Sequence, residues 1–373
     1  MTNKHGAHPI RILHIIGSLG TGGIQSLLMN LYRNIDRERV QFDFLVHIRA
    51  DGHYEEDVKK LGGRIYYIDE DAFERHKWLA YCSFLRNFFR HHPEYLIVHG
   101  HLRTMSAVYL SVARQAGCRT IAHSHSTTNG YGKTAVLKDI LQFPTRYVSD
   151  YFMGCSDVAN EWMFGARRAH GSRCRVLRNG VDVGRFKYSC VTRQVKRAEL
   201  GIDDACFVIG NVGRLVFQKA QHVLISAMPQ IVSQTPDSKL VIVGDGPLNQ
   251  QLFEQAKSLH IERHVLLTGN RSDVPDLLSA MDVFAMPSQN EGLGISAIEA
   301  QANGLPTLVS KAIPLEAYIT SNIHLVENEA EWAKAILSAG GRSVSDASRI
   351  VSEAGYDIKK IAIDLMEFYE SID

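Results

Sequence analysis

Short apolar runs alternate with amphipathic stretches along the chain, and the alternation starts afresh after residue 200. The first runs are RILHII (11–16), FDFLVH (42–47), RIYYID (64–69), YLIVHG (95–100) and RTIAHS (119–124), with helix-periodic segments at 24–34, 54–61, 78–91 and 105–116. The second set is CFVIGNVG (206–213), KLVIVGDG (239–246), HVLLTGN (264–270), DVFAMP (282–287) and PTLVS (306–310). Helical patterns at 221–234, 247–259, 273–280 and 295–303 separate them. Apolar runs this short and continuous suit strands buried on both faces, as in a parallel sheet covered by helices. The rhythm predicts an α/β chain of two doubly wound, Rossmann-like domains. At 373 residues the chain is also too long for one ordinary core.

The join falls near VLRNGVDVGRFKY (176–188), where Asn-Gly and Val-Asp-Val-Gly read as turns. This places one domain at 1–185, a second at 186–355, and an amphipathic helix at 356–373 carrying Ile361, Leu365, Phe368 and Tyr369. Charge divides the same way. Residues 1–180 hold 24 basic against 16 acidic side chains, the remainder 17 against 24, so the two halves imply different partners. Neither half has the strong basic excess expected of a nucleic-acid binder. The six cysteines are scattered without a CxxC pair and read as free thiols of a cytosolic protein. No run of about 18 apolar residues occurs, and the N-terminal apolar run lacks a cleavage pattern. A cytoplasmic location is expected, with any membrane contact peripheral, at the inner face of the plasma membrane.

The chemistry concentrates in PSQNEGLGISAIEAQANGLPTLVS (287–310). Glu291 precedes the turn Gly292, Leu293, Gly294, and Glu299 falls on a short helix that Gly304 and Pro306 close. Glycines let backbone N–H groups approach a ligand, a helix N-terminus favours phosphate, and carboxylates accept hydrogen bonds from sugar hydroxyls. Taken alone, the spacing of the two glutamates is also that of a loop carboxylate and a solvated helix residue. In NVGRLVFQKAQ (211–221), Arg214 and Lys219 lie on a turn between strand and helix, where two cations suit a diphosphate, or are merely solvated. VGDGP (243–247), with Gly246, stands at a strand's carboxyl end, where a structural turn is the alternative reading; Arg271 in TGNRSDV (268–274) is either a nucleotide contact or a surface cation.

In the first half, GSLGTGG (17–23) is a glycine-rich turn whose spacing is not GxGxxG. Two His-x-His strings, His99–His101 and His123–His125, end strands; no acidic or cysteine ligand stands at a suitable spacing, so no metal is expected there. The segment 74–92 carries Trp78, Phe84, Leu85, Phe88 and Phe89 among basic residues. It is either a helix with its aromatic stripe in the core or one resting on an anionic membrane; Lys133, Lys138 and Arg146 would extend the same basic surface. Asp69-Glu70-Asp71 has D-x-D spacing but reads as a strand-to-loop acidic cluster.

Taken in order, the Gly-Gly turn, NGVD (179–182), VGRL, VGDGP and the E-x7-E string resemble glycosyltransferase family 4, the retaining GT-B enzymes that use nucleotide sugars. Ala220 stands where the family's QKG segment has glycine. The resemblance implies a GT-B fold with a cleft between its domains, an N-terminal acceptor-binding domain, a C-terminal nucleotide-sugar domain, and a terminal helix crossing back to the first. It implies that Glu291 meets the donor sugar, that Gly292, Leu293 and Gly294 meet sugar and diphosphate, that Glu299 holds the ribose, and that Arg271 lies near the base. Arg214 and Lys219 would stabilise the leaving diphosphate without a metal or other cofactor. Gly22 and Gly23 would offer backbone N–H groups, His125 rather than His123 would project at the reaction centre, and His101 would line the acceptor side. The chain looks most like transferases of bacterial capsular or exopolysaccharide biosynthesis, which implies a UDP-linked hexose as donor and a saccharide acceptor, carried on a polyprenyl diphosphate. Two other classes stay open: a nucleotide-sugar epimerase of the same architecture, and a non-catalytic sugar-nucleotide-binding protein.

Overall fold

The computed structural model describes residues 8–20, 22–49, 52–68, 78–126, 133–343 and 345–373. The acidic triplet 69–71 and residues 74–77 lie outside them. The chain forms two compact units, one of residues 1–180 with 358–373 and one of residues 181–357.

The first unit holds a seven-stranded sheet in the order β3-β2-β1-β4-β5-β6-β7, parallel throughout. Its strands are β1 (Ile10–Ile16), β2 (Val40–Val46), β3 (Ile65–Tyr67), β4 (Ile97–Gly100), β5 (Arg119–Ser124), β6 (Tyr151–Gly154) and β7 (Cys174–Val176). Alternate side chains of β1 feed two cores. Ile12 and Ile16 pack with Leu27, Leu28 and Leu31 of the helix Gly23–Asn34 and with the C-terminal helix Ile358–Ile372, whose inner face is Ile361, Leu365, Phe368 and Tyr369. Leu13 and Ile15 pack on the other face with Leu85, Phe88 and Phe89 of the helix Trp78–His91. That helix therefore turns its aromatic stripe into the core and not toward a membrane, although Trp78 and Leu79 at its start are exposed. The large exposed apolar residues of this unit gather instead at Val136, Leu137, Ile140, Leu141, Phe143 and Tyr147.

The second unit repeats the plan with six parallel strands in the order β10-β9-β8-β11-β12-β13. They are β8 (Phe207–Val212), β9 (Ser238–Val243), β10 (Val265–Leu267), β11 (Val283–Met286), β12 (Thr307–Ser310) and β13 (Ile323–Val326). Ile209, Leu240 and Val283 face the helix Gln221–Gln234; Val208, Val241 and Phe284 face the helices Val274–Ala280 and Ile295–Ala302. The edges at the starts of β8 and β11 are fastened by Arg197, 1% exposed, which donates to four carbonyls and to Asp282. Asp282 in turn accepts from Arg193 and the Val208 N–H, so the buried charge is fully paired.

The core of the first unit has a polar seam of histidines. His14 on β1, His99 on β4, His123 on β5, and His101 and His125 just beyond those last two strands form a stack of imidazoles. Burial holds them neutral: it lowers the pKa of His14 and His125 to about 3, and those of His99, His101 and His123 well below the usual value, with mutual repulsion adding to the last three. Unfolded, each would take up a proton near pH 6.5; folded, each refuses it. Stability is therefore complete above pH 6.5 and falls as pH drops below it, by about 1.4 kcal/mol per unit for each refused proton. Five such groups act on a net stability of roughly 5–15 kcal/mol. The histidines leave the unfolding temperature unchanged above pH 7 and should make it fall steeply between pH 6.5 and 5.5. A level profile down to pH 5.5 would contradict a neutral stack.

Candidate active site

In both units the strand order reverses beside the first strand, between β1 and β4 and between β8 and β11. Loops leaving the carboxyl ends of such a strand pair diverge to opposite faces and leave a crevice. The charged residues singled out in the sequence stand at the second unit's crevice. Beyond β8, Gly213 and Arg214 lead into the 3-10 turn Phe217–Lys219. Arg214 is exposed, and its guanidinium makes no hydrogen bond or ion pair among the described residues. The Lys219 methylenes pass 3.6 Å from where a Cβ on Gly213 would stand, so this side chain lies back across the turn. Ala220 links turn to helix in the left-handed region, at φ 51 and ψ 33. Glycine takes that conformation without strain, which accounts for the glycine of the family pattern; nothing in the structure explains the alanine of this chain.

Beyond β11, Glu291 accepts from Lys219 Nζ at 2.5 Å and from Ser288 Oγ at 2.7 Å. The Ser310 hydroxyl donates to the Ser288 carbonyl, so the end of β12 steadies the loop that aims Glu291. Gly292 is exposed with nothing near a would-be Cβ, Leu293 is buried, and Gly294 takes φ 79 at the start of the helix Ile295–Ala302. Glu299 lies on the second turn of that helix. Its carboxyl is half-buried and makes no hydrogen bond or ion pair among the described residues. Burial pushes its pKa up to about 8 against the opposing pull of Arg185. A desolvated carboxyl without a partner marks a site that awaits a ligand.

Two sequence candidates have structural explanations. A Cβ on Gly246 would stand 2.4 Å from the Leu215 carbonyl, and one on Gly244 2.2 Å from that of Gly213. The VGDGP glycines thus let this loop lie against the turn that carries Arg214. Arg271, expected near the base, instead grips Asp273 at 2.7 and 2.8 Å and Glu199 at 2.5 Å, and Lys196 joins the same two carboxylates. These ion pairs hold it to a structural network.

In the first unit, Gly22 is the extended residue before the helix Gly23–Asn34, and nothing lies within 4 Å of a would-be Cβ on Gly23. His101 and His123 are 2% and 1% exposed, so neither offers a ring to an acceptor; His125 is half-buried and reaches the surface. Two trios, His14–His99–His101 and His101–His123–His125, bring ring nitrogens within 4.8 Å of one another. His14 and Ser288 went unremarked in the sequence, where one looks like a strand residue and the other like a loop serine. Only the fold brings His14 beside His101, 87 residues away, whereas Ser288 stands three residues before Glu291.

The model of the family described as Glycosyltransferase Family 4 matches residues 21–185, and that of Glycosyl transferases group 1 matches residues 192–340. EpsF of Bacillus subtilis (strain 168), designated a glycosyltransferase, is 28% identical over 96% of each chain. The UDP-Gal:alpha-D-GlcNAc-diphosphoundecaprenol alpha-1,3-galactosyltransferase of Escherichia coli is 30% identical over 63% of this chain and 61% of its own. Among solved structures, Anabaena HepE in complex with UDP and glucose superposes with a TM-score of 0.74, at 22% identity over 97% of this chain and 100% of its own. A Rickettsia africae glycosyltransferase does so at 0.79, with 15% identity over 98% of each chain. The two family models together match residues 21–185 and 192–340, and the chain belongs to glycosyltransferase family 4 as a hexosyltransferase of GT-B fold.

Proposed function

We propose that the enzyme moves a hexosyl group, with retention, from a UDP-sugar to a saccharide acceptor carried on a polyprenyl diphosphate, for capsular or exopolysaccharide assembly. The observation that carries this reading is the grouping of exposed Arg214, the Lys219–Glu291 pair and the unpartnered Glu299 at one crevice. Arg214 and Lys219 compensate the diphosphate as it leaves, which leaves no charge for a metal to supply. Glu291, already aimed by Ser288, takes hydrogen bonds from sugar hydroxyls, and Glu299 takes them from the ribose. The bond from the anomeric carbon to the phosphate oxygen breaks, and the acceptor oxygen bonds that carbon on the same face. Its proton passes to the departing phosphate, so no protein nucleophile is needed. UDP is favoured because the Escherichia coli relative is named for UDP-Gal and HepE holds UDP.

A lipid-linked acceptor and a cytoplasmic enzyme resting on the inner face of the plasma membrane fit the exposed apolar residues at 136–147. Arg146 lies over the Phe143 ring at 4.8 Å and Arg168 over that of Tyr147 at 4.5 Å. Cations among exposed aromatic rings suit an anionic interface.

A panel of UDP-, GDP- and ADP-sugars should raise the unfolding temperature for the UDP series alone. Lys219→Ala should lower transfer about 100- to 1000-fold in a protein that still folds. Normal turnover in that variant would sink the assignment. A sugar-nucleotide isomer formed from donor alone would mark an epimerase, and donor binding without transfer a binding protein.

Glu299 gives a pH dependence. Empty, its carboxyl holds a proton below about pH 8, whereas ribose hydroxyls bind the carboxylate. UDP binding should therefore expel a proton and tighten up to tenfold per unit as pH rises from 6.5 to 7.5. Calorimetry in buffers of different ionisation enthalpy reads the proton directly. Glu299→Gln should remove both effects, and an unchanged profile in that variant would exclude Glu299 as their source.

A further inference from the structure

One helix of the first unit is amphipathic the wrong way round. Lys133–Gln142 carries Val136, Leu137, Ile140 and Leu141, spaced to share one face. Each of these four is between 43% and 63% exposed. The polar side turns to the body instead: Gln142 is 3% exposed and donates to the Asp139 carboxylate. Phe143 and Tyr147, just beyond the helix, are exposed as well. A helix that packs for stability buries its apolar stripe, so an outward stripe of this size marks a surface that receives something apolar.

Cations border this face in a repeated geometry. Arg146 lies over the Phe143 ring at 4.8 Å, Arg168 over that of Tyr147 at 4.5 Å, and Arg103 over that of Trp162 at 5.6 Å. The three pairs are linked. Arg146 donates to the carbonyls of Met163 and Trp162, and the Phe143 and Tyr147 rings stand 5.8 Å apart. Neither Arg146 nor Arg168 forms an ion pair with a carboxylate among the described residues.

Arg103 differs from the other two by its place. It follows β4, in the loop before the helix Ser106–Gln115, at the carboxyl end of the sheet where strand order reverses beside β1. It is half-buried, and burial lowers its pKa against the opposing pull of Asp139. A half-withdrawn guanidinium held flat on an indole offers directed N–H groups to one anion. Bilayer headgroups, spread over a plane, are met by fully exposed cations instead. The strip thus joins one anion-binding arginine to an apolar helix face.

We propose that, granted the acceptor class inferred above, this strip seats the lipid-linked diphosphate: its phosphates on Arg103, its first isoprene units along Val136, Leu137, Ile140 and Leu141. Arg146 and Arg168, without carboxylates of their own, add positive field beside the phosphates. Arg103 is then a binding residue for the acceptor, and Trp162 a positioning residue that holds its guanidinium flat.

Calorimetric titration of the full chain with farnesyl diphosphate, farnesol and inorganic diphosphate tests this, with saturating UDP to fill the second unit's crevice. Farnesyl diphosphate should bind about tenfold tighter, or more, than either half of itself. Arg103→Gln should weaken it about tenfold and leave farnesol unchanged. Arg103→Lys, which keeps the charge, should recover part of the loss, as a packing defect would not. Ile140→Ser, at an exposed position, should keep the unfolding temperature, weaken both amphiphiles several-fold and leave inorganic diphosphate unchanged. In transfer assays Arg103→Gln and Ile140→Ser should raise KM for a polyprenyl-diphosphate-linked acceptor, with KM for the donor level. Equal affinity for farnesyl diphosphate and farnesol would overturn the proposal, as would unchanged binding in both variants. So would attachment to anionic vesicles that needs Ile140 but not Arg103, in a protein that binds no farnesyl diphosphate, the mark of a bare membrane surface. If farnesyl diphosphate binds as proposed but no lipid-linked acceptor is glycosylated, the reading of function fails and the site stands. If that transfer occurs with acceptor KM level in both variants, the site fails and the reading stands.

Discussion

The reversal of strand order beside the first strand of each sheet is the constraint on which the rest depends. A parallel sheet hides its strands on both faces, so backbone near a ligand must come from loops at the strands' carboxyl ends. Where order reverses, those loops part and leave room. β1 and β4 therefore place His14 and His101 within hydrogen-bond reach although 87 residues separate them, and β8 and β11 do the same for Lys219 and Glu291, 72 residues apart. No local propensity builds either pair.

Within the second unit, charge is distributed in a way that packing alone does not require. Arg197 and Asp282 show what a structural charge looks like here: buried, fully paired and fixed to several backbone groups. Arg271 follows the same pattern at the surface. Arg214 and Glu299 do not. Among the described residues one is an exposed cation without a hydrogen-bonded or ion-paired partner, the other a desolvated carboxyl without one. Lys219 and Glu291 stand between these extremes, each half-buried and joined to the other by a pair at 2.5 Å. That contrast, more than any single distance, separates the site from the scaffold.

The strands and helices of the repeating βα pattern were legible because their periods are strong. The helix pattern at 221–234 matches Gln221–Gln234, and that at 78–91 matches Trp78–His91. β6, β7 and β13, of three or four residues, were missed. They sit toward the sheet edges, where a brief apolar run does not stand out from its flanks. The role of 74–92 was undecidable from sequence, because an aromatic stripe beside arginines suits a core or a membrane equally; burial of Tyr81, Leu85 and Phe88 decides for the core. The E-x7-E string and the Arg214–Lys219 turn were legible as a site because they are contiguous. The histidine stack was not, since its members come from three strands and its order depends on register.

The neutrality of the histidine stack in the first unit also bears on the proposed chemistry. Glycosyl transfer builds positive charge on the sugar ring as the diphosphate departs. An imidazolium would oppose such charge on a ligand, while a neutral imidazole would not. The first unit has a surplus of basic side chains, yet where His125 reaches the surface burial keeps the imidazole uncharged. The fixed cations of the proposed site, Arg214 and Lys219, belong to the second unit, where Lys219 stands against Glu291, and positive charge held at a leaving diphosphate favours the breaking of its bond to the sugar.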